Sequence, residues 1–193
     1  MFGWFKKKDI TEPKKTSVST MSIKANSQHK ADDKKKHQYF LEELKELLVF
    51  SKLFKKEFIN SYVVLYKEYK PFVGRNFNEI SKQASFTDSF ADTTITKSEM
   101  KRLSAKIVHI AENRAYNRVD IERSQSLGIT HIKISFADEQ YLCPNTIKLK
   151  NKHEGKNIPI NKVPLLPLQS CFECNAACHT PGTYMSVIKG FNS

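Results

Sequence analysis

Between residues 37 and 70, apolar side chains recur mostly at three- and four-residue steps: Phe40, Leu41, Leu44, Leu47, Leu48, Phe54, Phe58 and Tyr62, with Glu and Lys between them. That spacing predicts amphipathic helix. The stripe continues through Val63, Val64 and Leu65, so it reads either as one helix or as two broken near Asn60-Ser61. Pro71 is expected to stop it, because proline lacks the N–H that a helix interior uses. A second helical period starts at Ser98 and passes Met100, Leu103, Ile107, Ile110, Ala111, Ala115, Val119 and Ile121 to Leu127. Ser98 is placed to cap its start and Gly128 to close it in the left-handed conformation. From Thr130 the period changes to two through Ile132, Ile134 and Phe136, predicting a half-buried strand fed directly by the helix. Further strands are expected at residues 156–160 and 183–189, with Pro164 and Pro167 forcing an extended crossing between them.

The first 36 residues lack this periodicity. They hold ten lysines against four acids, half of the protein's excess of positive charge, and read as a basic flexible arm. Residues 71–97 are polar, with isolated Phe86 and Phe90, and read as loop with room for one short helix. The chain thus divides into an arm (1–36), a helical region (37–97) and a C-terminal domain (98–193). The fold class is α+β: a helical N-terminal half whose long helix feeds a small antiparallel β module with a cysteine-rich loop.

The net charge of +12 favours nucleic acid, an anionic assembly or an acidic membrane surface as partner. Lys6, Lys7, Lys8, Lys34, Lys35 and Lys36 are the candidate nucleic-acid contacts. No apolar run is long enough to span a bilayer, and Met1–Lys8 lacks the order of a signal peptide, so a reducing cytoplasm is expected.

All four cysteines fall within residues 143–179, with His153 and His179. In a reducing compartment such clustering points to metal more often than to disulfides. Structural zinc needs four ligands in a tetrahedron, brought together as two pairs. Cys171 and Cys174 have the spacing of one pair. Cys143 with Cys178 or His179 is the candidate second pair, with His153 behind them. The competing reading makes Cys143 and Cys171 buried small apolar residues. No phosphate loop, nucleophile elbow or H-E-x-x-H motif is present, and Asp138-Glu139 reads as a polar turn.

In their order these parts resemble the phage head-morphogenesis family, the Mu F-like minor head proteins, over roughly residues 100–190. The stretch Ile110-Ala111-Glu112-Asn113-Arg114-Ala115-Tyr116-Asn117 is similar to the family's helix signature, which runs to a glycine and a strand. Asp138-Glu139, Cys143-Pro144, Gly155-Lys156-Asn157-Ile158-Pro159-Ile160, Pro164, Pro167-Leu168 and Cys171 follow in the family's order. Thr146 stands where the family has a second cysteine, Gln169 where it has a histidine, and the closing pair is Cys171-Phe172-Glu173-Cys174. The resemblance implies a non-enzymatic minor head protein of a phage or prophage, acting in capsid assembly or DNA delivery. Its partners would be portal and capsid proteins, with packaged DNA as a further contact, in the virion or the host cytoplasm. Two other classes compete with it: an HNH-like metal-dependent nuclease or toxin-type effector, and a cytosolic zinc module that binds nucleic acid.

Overall fold

A computed structural model describes residues 18–68, 81–82, 85–174 and 183–187. Its elements are α1 (Val18–Ser51), α2 (Lys56–Glu68), the single-turn α3 (Ser85–Asp88), α4 (Lys97–Ser126), β1 (His131–Ser135), α5 (Pro144–His153), β2 (Ile158–Pro159) and β3 (Thr183–Val187). This is a mostly helical α+β chain with a small antiparallel sheet. Two compact units divide it, Met1–Asp33 and Lys34–Ser193.

The first helix starts at Val18, well before the period that begins near His37. A polar helix carries no apolar stripe, so periodicity does not register it. The first half of the expected arm, with Lys6, Lys7 and Lys8, lies outside the described residues. The helix break falls at residues 52–55 and not at Asn60-Ser61: Lys52 takes a left-handed φ of 53°. Leu53 and Lys55 there pair with the chain after α3, through Lys55 N–H to Ser89 O at 2.9 Å and Ala91 N–H to Leu53 O at 2.9 Å. This bridge seats Phe54 against Phe90, ring centroids 4.6 Å apart. Pro71, the expected stop for α2, lies outside the described residues.

The main core forms where α1, α2 and α4 turn their stripes together. Leu44, Leu47, Leu48, Phe90, Ile107, Val108 and Ala111 are fully buried, with Phe40, Tyr62 and Tyr66 around them. Burial pushes the Tyr62 phenol up to about 12 and Tyr66 further, so both hydroxyls keep their protons. The α4 cap is Thr96, whose side chain accepts from the Glu99 N–H at 3.2 Å, rather than Ser98. At the other end Gly128 takes φ 76° and donates to Gln125 O, while Ile129 donates to Ser124 O. The chain therefore reverses straight into β1.

The sheet has the order β2-β1-β3. His131 pairs with Pro159 on one side and Val187 on the other. Ile132 and Ile134 of β1 are buried, and Ile134 joins Ile158 and Leu166 in a second, smaller core.

The α1–α4 seam is ionic. Arg114 Nε donates to Glu43 Oε2 at 2.6 Å, with side-chain exposures of 10% and 3%. Arg118 donates to Glu42 at 2.9 Å and Glu43 at 3.3 Å, and lies 3.9 Å over the Tyr39 ring. Removing one member of a buried pair strands the other charge at a cost of ~3–5 kcal/mol. Glu43→Ala is accordingly expected to lower unfolding free energy in urea by about that much. The double variant Glu43→Leu/Arg114→Met is expected to cost less than the sum of its parts.

Candidate functional site

The cysteine-rich stretch, expected as a loop, contains the ten-residue helix α5. Cys143 is its N-cap in extended conformation and Pro144 its first residue, where proline's missing N–H costs nothing and its φ is already helical. That Cys-Pro pair was the available signal for the helix. Beyond it, Gln169–Glu173 form a 3-10 turn that brings Cys171 back to the start of α5. The Cys143 and Cys171 sulfurs lie 3.5 Å apart, and both residues are buried.

Thr146, one turn into α5 and buried, places its hydroxyl 3.4 Å from the Cys143 sulfur and 3.5 Å from that of Cys171. Asn145 donates to Ser170 O at 3.0 Å and lies 3.5 Å from Cys174 Sγ. Cys174, partly exposed, packs against the two buried thiols. From α4, Lys106 reaches Phe172 O at 2.8 Å and also donates to Cys174 O. Asn145 and Lys106 were not singled out from sequence, and Thr146 stood out only as the residue in place of the family's second cysteine.

Three of the six expected metal ligands, Cys143, Cys171 and Cys174, thus come together. His153 does not join them: it ends the helix that Cys143 begins, about 15 Å along the axis at 1.5 Å per residue. Partial burial, with Lys152 and Lys156 beside it, holds the His153 imidazole below its ordinary value. Cys178 and His179 lie outside the described residues. A neutral threonine hydroxyl, a poor partner for zinc, lies within 3.5 Å of both buried sulfurs. Among the described residues no cluster of three or more His, Cys, Asp or Glu side chains is arranged to hold a metal ion. The described donors therefore do not fit a closed zinc site.

The candidate nucleic-acid lysines have separate fates. Lys34 is exposed, but Lys35 pairs with Glu122 at 3.2 Å and Lys36 lies 4.9 Å over the Tyr116 ring. On α5, Lys148 and Lys152 are exposed one turn apart. Lys150 turns the other way to Glu139 and Glu154.

No family model matches the chain, and no curated protein or solved structure shows significant similarity to it.

Glu112, in the stretch that resembles the helix signature, is half-buried, and desolvation raises its carboxyl above the ordinary value. The folded state then binds more protons than the unfolded state between those two values, so this residue's contribution favours folding at low pH and fades as pH rises through the window. Glu112→Gln is expected to stabilise the protein at neutral pH and to remove that part of the pH dependence, as read from urea midpoints between pH 4 and 8.

Proposed function

We propose that this protein is a non-enzymatic minor head protein of a phage or prophage, acting in capsid assembly or DNA delivery. One observation carries the reading. Arg114 of the signature-like helix donates to Leu165 O and Pro167 O, both at 3.2 Å, so two motifs of the resemblance about fifty residues apart meet as one bonded unit. The contact supports the reading by tying the two stretches together within one compact unit.

DNA contact is part of the proposal. Phosphate-backbone binding needs cations that are free to displace counterions. Lys35, though exposed, is paired with Glu122, and Lys36 lies over the Tyr116 ring, so Lys34 and the exposed pair Lys148 and Lys152 are the better candidates among the described residues. From Pro144 to Leu168 the chain holds five lysines and a single acid, Glu154.

Co-expression with the portal and capsid proteins of its source phage or prophage is expected to place the chain in purified particles at low copy number; particles that exclude it would sink the head assignment. Separately, fluorescence anisotropy with a short duplex is expected to show binding that weakens steeply between 50 and 200 mM salt. Lys148→Glu/Lys152→Glu is expected to reduce the logarithmic salt slope by about two, and Lys36→Glu by much less. Undetectable binding at low salt, or binding indifferent to salt, would remove the DNA contact.

A further inference from the structure

The two buried thiols have no role in the proposed function, and among the described residues no group of three or more His, Cys, Asp or Glu side chains around them is arranged to hold a metal ion. We infer that Cys143 and Cys171 are an oxidative cross-link site, closed by peroxide into a disulfide that joins the start of α5 to the turn seated on α4. The sulfurs are 3.5 Å apart, against about 2.0 Å in a disulfide, so a combined movement of roughly 1.5 Å closes the bond. Thr146 is within reach of both sulfurs and keeps them facing each other. Burial keeps oxidants from meeting either thiol directly.

Cys174 supplies the entry. It is partly exposed, caps the C-terminal end of the 3-10 turn that carries Cys171, and packs against the buried pair. The Cys174 sulfur takes one oxygen of the peroxide to become a sulfenic acid, and the other oxygen leaves as water. The Cys171 sulfur displaces the sulfenic hydroxyl as a second water, forming a 171–174 disulfide. Cys143 then attacks the Cys171 sulfur, and Cys174 leaves as a thiol with the proton that Cys143 gave up. In sum two thiols lose two electrons and two protons to one peroxide, giving one disulfide and two waters.

The product fastens α5 to a segment that Lys106 already holds on α4. It is independent of any role in phage heads.

The test uses the full chain, purified under reduction and treated with hydrogen peroxide. Remaining thiols are then alkylated and disulfides mapped by peptide mass spectrometry. The expected major product links Cys143 to Cys171, with a melting temperature about 5 °C or more above that of the reduced protein. Cys174→Ser is expected to give the same link at least tenfold more slowly. Three findings each overturn the inference: free thiols that persist while an exposed reference thiol is consumed, a dominant link between any other pair, or stoichiometric zinc on the native chain with thiols inert to peroxide. A link formed by Cys174→Ser at the parent rate overturns the route through Cys174.

Discussion

The contact between Glu43 and Arg114 is the constraint on which the rest of the structure depends. A carboxylate and a guanidinium taken out of water each carry a desolvation cost of several kcal/mol unless the geometry is close and the remaining donors are used. Here Nε meets Glu43 and one terminal nitrogen meets the carbonyls of Leu165 and Pro167. A single side chain therefore joins α1, α4 and the proline-rich segment, which is within the reach of arginine's planar fork and beyond that of a lysine ammonium. Glu46 accepts from Gln169 beside it, adding a second tie between α1 and that segment.

Eight residues before Arg114 on the same helix, Lys106 repeats the device. Arg114 takes the carbonyls of residues 165 and 167, and Lys106 those of 172 and 174. The segment thus runs antiparallel to α4, anchored at two points about 12 Å apart at the helical rise. Apolar side chains seat this stretch, Leu166 in the smaller core and Phe172 against the main one, and the two cations satisfy its backbone oxygens. The cysteines ride on this anchored segment, which is how Cys171 comes to lie against Cys143 across the start of α5.

How much of this could be read from the chain varied with how local each cause is. The α4 stripe, its Gly128 exit and the alternation of β1 depend on neighbours within a few residues, and they stand close to where the period places them. The break between α1 and α2 does not: it is imposed by pairing with Ser89 and Ala91, some thirty-five residues away. Asn60 and Ser61, which resemble a break, sit inside α2. Helix α5 was hidden because cysteine, proline and closely spaced lysines resemble a loop, although Pro144 after an extended residue is a sound helix start. Thr146 was visible only as a departure from a motif, and its hydroxyl acquires meaning once both sulfurs lie beside it.

By itself the sequence determined what short-range physics controls: which faces of the long helices are apolar, where α4 ends, that a strand follows, and that cysteines gather near the C-terminal side. Tertiary structure alone decided which charges are spent and which are free. Arg114 and Arg118 turned inward to Glu42 and Glu43, and Lys35 and Lys36 settled against α4, while Lys148 and Lys152 stayed in water. Tertiary structure also placed two sulfurs within 3.5 Å and His153 at the far end of the helix that Cys143 begins. The reason is common to all of these. Pairing of charges and of thiols depends on distance in space, and the spacing of residues along a chain sets that distance only within a turn or two of helix.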